Sequence, residues 1–350
     1  MAELDKYLGL MAENEASDFH LSVGMKPRFR IHGDLIDHGE EVMTAERGQK
    51  ILFELLTEKQ QAYFHNRKDI DFVYRTPDEA RFRVNIFHQL RGVCGVFRKI
   101  PEVILNFKDL QLPPVIQKFT EYRSGLVLIT GPTGSGKSTT LASIIDYINT
   151  NSRKHIVTIE DPIEFSHASK NSIIHQRQIG LDALTFELAI KGAMREDPEV
   201  LLVGEMRDSE TIQATVTAAE IGILVFATVH TNSAGKTMDR IIDSFPAEKQ
   251  TLIRAMLSQS LRGVVSQLLL KTADRKGRIP ACEVLIATHG VQNLIRESKI
   301  QEIATAIQSG RKLGMQLMDD SLMELVLAKK INPEDAYMAA ENKGKFEKYI

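Results

Sequence analysis

The sequence predicts an α/β protein in which a small α+β domain precedes a doubly wound, mostly parallel sheet followed by C-terminal helices. Three observations predict it. Residues 126–130, 156–159, 200–203 and 224–227 are short apolar runs without alternation, which suits strands covered on both faces. Helical patterns separate them, for example over 139–149 and 184–194, as connections between parallel strands require. The first run leads into Gly131, Pro132, Thr133, Gly134, Ser135, Gly136, Lys137 and Ser138, a full match to GxxxxGK[ST] between a strand pattern and a helix pattern.

Element by element, Leu4, Leu8 and Met11 have helical spacing. Arg28, Phe29, Arg30, Ile31 and His32 alternate and meet Gly33 and Asp34, a hairpin signal. One helix is predicted over 51–64, from the spacing of Ile51, Leu52, Leu55 and Leu56. Strands are predicted over 70–74, 81–87 and 93–100, with a turn at Thr76, Pro77 and Asp78. These make a first domain of residues 1–100. Residues 101–115 carry Pro101, Pro113 and Pro114 with little periodicity, which predicts an interdomain linker. The sheet domain follows over 116–290. Helices are predicted over 291–296, 300–309 and 321–330, and Asn332 and Pro333 open a last short one, so 291–350 reads as a helical C-terminal region.

Composition narrows the function. A chain of 350 residues holds two or three domains at about 150 residues each. With 44 Lys+Arg against 46 Asp+Glu the net charge is −2, which argues against a dedicated nucleic-acid binder, and no nucleic-acid partner is expected. The apolar content of 43% is too high for a disordered chain. Two distant cysteines, Cys94 and Cys282, offer neither a disulfide framework nor a CxxC metal site and fit a reducing compartment. The charged start, Met1 to Lys6, has no apolar core of a signal peptide, and no apolar run of about 18 residues occurs. A cytoplasmic protein is expected, with membrane contact through a partner.

The glycine-rich loop is the strongest chemical signal. Its glycines let backbone N–H groups turn inward on a polyphosphate, and the next helix adds its positive end. Lys137 is placed to reach the β/γ-phosphates and Ser138 to ligate Mg2+; Gly131 through Thr139 are the expected phosphate-binding residues. Glu205, after Gly204 at the end of run 200–203, is the expected metal-side acid. Hydrolysis needs a base to orient water, and Glu160, Asp161 and Glu164 cluster at the end of run 156–159; spacing does not choose between Glu160 and Glu164. His230, after the fourth run, is a candidate γ-phosphate sensor or relay to a neighbour. Arg81, Arg83, Arg91 and Arg98 lie in the first domain, Arg195 and Arg207 beside run 200–203. In a ring of subunits, first-domain arginines would enter a neighbour's site in trans. Plain alternatives stand beside these readings: a wet acidic loop, a merely hydrogen-bonded histidine, a solvated strand face.

Together, GPTGSGKST (131–139), IEDPIEF (159–165), REDPEVLLVGEMRD (195–208) and ATVHTNSA (227–234) resemble the secretion ATPase superfamily of type II secretion and type IV pili. Within it the chain resembles the PilT-type pilus retraction ATPases over essentially its whole length. Residues 17–21, SDFHL, and 293–297, NLIRE, resemble two further PilT-type motifs. The resemblance implies an N-terminal PAS-like domain, a C-terminal RecA-like ATPase domain, ATP and Mg2+, and a homohexameric ring motor. Its implied partners are an inner-membrane platform protein of PilC type and a second retraction ATPase. It implies Glu164 as the water-activating residue, Glu205 as the Walker B acid, His230 as the His-box residue, and Arg81, Arg83 and Arg98 near a nucleotide. It ties 293–297 to retraction rather than hydrolysis. Three places depart from the pattern: Glu199 where Asp is usual, Glu15 and Ala16 where a Gly pair is common, and Gly290, Val291 and Gln292 where Ala-Ile-Arg is usual. The nearest competing readings are a PilU-like accessory ATPase and a PilB- or GspE-type assembly ATPase. The latter is typically longer and often carries a four-cysteine module. Outside the superfamily, a RecA-like nucleic-acid translocase and a nucleotide-binding scaffold without turnover compete.

Overall fold

The computed structural model describes residues 3–14, 16–31, 33–100 and 103–350. Met1, Ala2, Glu15, His32, Pro101 and Glu102, which carry parts of the readings above, lie outside the described residues. The chain divides into two units, Met1–Val103 and Ile104–Ile350.

The first unit contains α1 (Glu3–Glu13), β1 (Asp18–Leu21), β2 (Arg28–Ile31), β3 (Asp34–Asp37), α2 (Ala45–Phe53), α3 (Glu58–Arg67), β4 (Asp69–Arg75), β5 (Arg81–Gln89) and β6 (Gly92–Ile100). Its strands form one antiparallel sheet in the order β3-β2-β1-β6-β5-β4. Alternation along β5 buries Phe82, Val84 and Ile86 and turns Arg81 and Arg83 to the other face. Phe19, Phe29 and Phe97 meet on the buried face, with ring centroids 5.4 and 5.6 Å from Phe19. The helix expected over 51–64 is two helices. Thr57 ends the run: its hydroxyl accepts from Gln60 N–H, and the Gln60 side chain accepts from Thr57 N–H at 2.9 Å. That capping box starts a new helix, and local hydrogen bonding overrides the apolar spacing.

The second unit contains α4 (Val115–Lys118), β7 (Gly125–Thr130), α5 (Lys137–Asn151), β8 (His155–Glu160), β9 (Ile173–Gln178), α6 (Phe186–Ala193), β10 (Val200–Val203), α7 (Ser209–Glu220), β11 (Leu224–Val229), α8 (Ala234–Asp243), α9 (Ala247–Ser260), β12 (Leu261–Lys271), β13 (Arg278–Ile286), α10 (His289–Arg296), α11 (Ile303–Ser309), α12 (Met318–Leu327) and α13 (Pro333–Ala339). Its sheet runs β13-β12-β7-β11-β10-β8-β9, parallel except for the β12/β13 hairpin. The four predicted strands are β7, β8, β10 and β11, at its centre. Sequence patterning does not single out β9, β12 or β13. Leu112 and Val115 enter this unit's core beside Phe119. The helix expected over 321–330 runs from Met318 to Leu327; it ends before Lys329, which takes a left-handed φ of 56°. Among the described residues, no helix is long and apolar enough to cross a membrane.

Candidate active site

Between β7 and α5 the chain turns through residues 131–136. Gly131 is confined by its surroundings: its φ is 146°, and a Cβ there would lie 2.3 Å from the Gln267 carbonyl oxygen and 2.5 Å from Ser135 Oγ. Gly136, at φ 87°, starts α5 with no side-chain cap, so among the described residues no side chain caps the first N–H groups of the helix. Ser135 is buried, and its Oγ has no hydrogen-bond partner among the described residues. Unclaimed helix N–H groups and an orphaned buried hydroxyl, framed by glycines, fit a polyphosphate. Pro132, Thr133 and Gly134 form the exposed rim; Ser138 and Thr139 are half-buried on the first turn of α5.

Lys137 is buried, and its Nζ donates to the carbonyls of Gly131 and Pro132 at 2.9 and 3.0 Å. Burial pushes its pKa down, while the negative charges of Glu205 and Glu164 oppose that shift. The same Nζ lies 3.5 Å from His230 Nδ1, and His230 Nε2 lies 3.1 Å from Glu205 Oε1. An ammonium cannot accept and a carboxylate cannot donate, so this chain assigns the imidazole proton to Nε2. Glu205 Oε1 also pairs with Arg207 Nε at 2.6 Å. Gly204 places Glu205: its N–H bonds Ile159 O at 2.7 Å, and a Cβ there would press within 3.2 Å of Ile159 O and Glu160 Cα.

The two candidate bases separate by environment. Glu160 is enclosed, accepting from Thr158 Oγ1 at 2.6 Å, from Gln176 Nε2 at 3.2 Å and from the backbone of Glu164. Burial pushes its pKa up, and the charge of Glu164 adds to this. Glu164 is half-buried, takes no side-chain hydrogen bond among the described residues, and is near enough to act on Lys137. Asp161 is exposed and is joined to Pro162 by a cis peptide bond.

Arg81, Arg83 and Arg98 lie in the first unit. Arg83 and Arg98 are register partners across β5 and β6. Arg98 Nε binds Asp18 Oδ1 at 2.8 Å and Arg83 Nε lies 4.0 Å from Asp71 Oδ1, so the Asp of the 17–21 motif anchors an arginine. Arg91 packs on Gly24 and Arg195 is exposed. Glu199, one of the departures from pattern, accepts the His155 N–H at 2.7 Å and pins the start of β8.

Sequence reasoning missed the residues that support the loop from β12. Thr130 Oγ1 donates to Ser266 Oγ at 2.8 Å, and Thr140 Oγ1 to Gln267 Oε1 at 3.0 Å. The available signal was two polar residues, Ser266 and Gln267, inside an otherwise apolar run.

A loop of this shape at the C-terminal end of a central parallel strand, with an acid after β10 and a histidine after β11, defines the RecA-like class of P-loop ATPase domain. The chain belongs to the family described as type II/IV secretion system protein, which matches residues 2–347. It is 45% identical over 334 residues to the type IV pilus retraction ATPase PilT of Pseudomonas aeruginosa, covering 95% of this chain and 97% of that protein. It is 49% identical over 316 residues to a twitching motility protein of Neisseria gonorrhoeae, covering 90% of this chain and 84% of the relative. A crystal structure of the pilus retraction motor PilT with bound ADP matches with a TM-score of 0.91 at 39% identity, covering 99% of each chain.

Proposed function

We propose that the protein is a motor ATPase that couples ATP hydrolysis to retraction of a type IV pilus, and hence to twitching motility. The observation that carries the chemistry is the hydrogen-bonded line from Lys137 through His230 to Glu205, beside a phosphate-type loop and within electrostatic reach of Glu164.

The loop N–H groups and the first turn of α5 bind the polyphosphate, and Lys137 neutralises its β/γ oxygens. Ser138 and Glu205 would hold Mg2+, which supplies charge compensation on the phosphates. Glu164 accepts a proton from the attacking water, a role for which its uncommitted carboxylate suits it better than the enclosed Glu160. His230 holds Glu205 in orientation against Lys137. Arg81, Arg83 and Arg98 supply positive charge to a neighbouring subunit's nucleotide in a homohexameric ring. Such a motor works in the cytoplasm, at the inner membrane, on a platform protein of PilC type; the likeness to PilT supports this setting.

Phosphate release from ATP by purified protein tests the reading. Lys137→Ala is expected to lose nucleotide binding. Glu164→Gln is expected to keep binding and to lose roughly 100-fold or more in kcat, the contribution of a general base. Equal rates for wild type and both variants would overturn it. In cells, deletion of the gene is expected to leave abundant surface pili without twitching, and bald cells would instead indicate an assembly motor.

A further inference from the structure

The acidic loop after β8 is held by side chains from the neighbouring edge strand. Gln176 and Gln178 of β9 are two residues apart and therefore share a face. Gln176 Nε2 donates to Phe165 O at 2.8 Å and to Glu160 Oε1 at 3.2 Å, and its Oε1 accepts the His167 N–H at 2.7 Å. Gln178 Oε1 accepts the Ile163 N–H at 3.3 Å, and the Gln178 N–H is itself held by Asp182 Oδ2 at 2.9 Å. The Glu160 carboxylate takes the Glu164 N–H and is steadied by Thr158 Oγ1 at 2.6 Å. The backbone is thus tied at 163, 164, 165 and 167, on both sides of the Glu164 side chain. An amide suits position 176 because it donates and accepts at once, joining a carbonyl, an N–H and a carboxylate.

We infer that Gln176, assisted by Gln178 and Glu160, is a positioning residue that presents the Glu164 carboxylate to the phosphate loop, and that it sets the rate of hydrolysis rather than the affinity for nucleotide. The inference rests on Glu164 as the water-activating residue. Its physical basis is the steep dependence of a proton-transfer step on placement: a shift of about 1 Å costs on the order of 100-fold. The phosphate loop has its own supports, Ser266 and Gln267 on β12, so loosening the acidic loop leaves phosphate binding in place.

The test is a double-mutant cycle on the full chain, reading kcat, the Kd of a fluorescent ATP analogue and the Tm. Gln176→Ala is expected to lower kcat about tenfold or more with Kd changed less than twofold. Gln178→Ala is expected to act in the same direction more weakly. In a Glu164→Gln background, Gln176→Ala is expected to add no further loss, because the carboxylate it positions is already gone. A wild-type kcat for Gln176→Ala beside an impaired Glu164→Gln overturns the inference alone. So does a full additional loss in the Glu164→Gln background, or a Kd that weakens in step with kcat. A wild-type rate for Glu164→Gln would remove the base assignment and the inference with it. Should Gln176→Ala not fold, Gln178→Ala decides by the same readouts.

Discussion

His167 shows what burial does to a single group. Its Nδ1 is buried without a hydrogen-bond partner among the described residues, and burial pushes its pKa down to about 4 from an ordinary value near 6.5. Between those values the unfolded chain binds a proton that the folded chain does not. Stability therefore falls as pH drops from about 6.5 to about 4 and loses nothing more from this group below that. The contribution is on the order of 3 kcal/mol. His167→Gln is expected to show a shallower loss, so its stability relative to wild type rises across that window in urea unfolding; a difference that stays flat with pH would refute the assignment. Residues of the loop motif were legible because they are contiguous and follow a fixed spacing. Gln176 and Gln267 were not, because each acts on a segment it does not adjoin in sequence, across strand registers that no local pattern encodes.

At the level of elements, the central strands announced themselves through unbroken apolar runs, and the outer ones did not. β9 reads Ile-Ile-His-Gln-Arg-Gln, a half-polar edge strand whose glutamines serve the neighbouring loop. β12 is irregular at its start, with a register shift between Leu261 and Gly263. Gly263 lies against the Phe119 ring, where a Cβ would sit 2.4 Å from Cζ and 3.0 Å from Leu285 O. Gly263→Ala is expected to destabilise the protein by about 1–3 kcal/mol through overpacking, read from denaturant midpoints. Phe119→Leu in the same chain should recover part of the loss; an unchanged midpoint in Gly263→Ala would show that the ring yields freely. Element ends also absorbed residues that looked chemical. Asp208, the last acid of the 195–208 motif, caps α7 by accepting the Thr211 N–H at 2.7 Å, and Ser233 caps α8.

At the scale of the molecule, the two units have separate cores. The second carries the phosphate loop, Glu164, Glu205 and His230; the first carries Arg81, Arg83 and Arg98. The cation nearest Glu205 within its own unit, Arg207, is already paired with it. Transition-state charge on a γ-phosphate calls for arginine, and supply in trans requires assembly. Purified protein with a non-hydrolysable ATP analogue is expected to show the mass of six copies; a strict monomer at high concentration would rule the ring out.

By itself the sequence determined the α/β class, the four central strands, the phosphate loop and the identity of the acids and histidine around it. Those features rest on short-range constraints: apolar continuity for a strand buried on both faces, glycine where the backbone must turn tightly, and fixed spacing for a ligand that several adjacent groups must grasp. Only the tertiary structure decided which acid is enclosed and which is open, that His230 bridges Lys137 and Glu205, and that β9 and β12 brace the two loops. Those outcomes depend on which strands lie side by side. Burial and hydrogen bonding act through space, and they sort chemically identical carboxylates only once the sheet has been assembled.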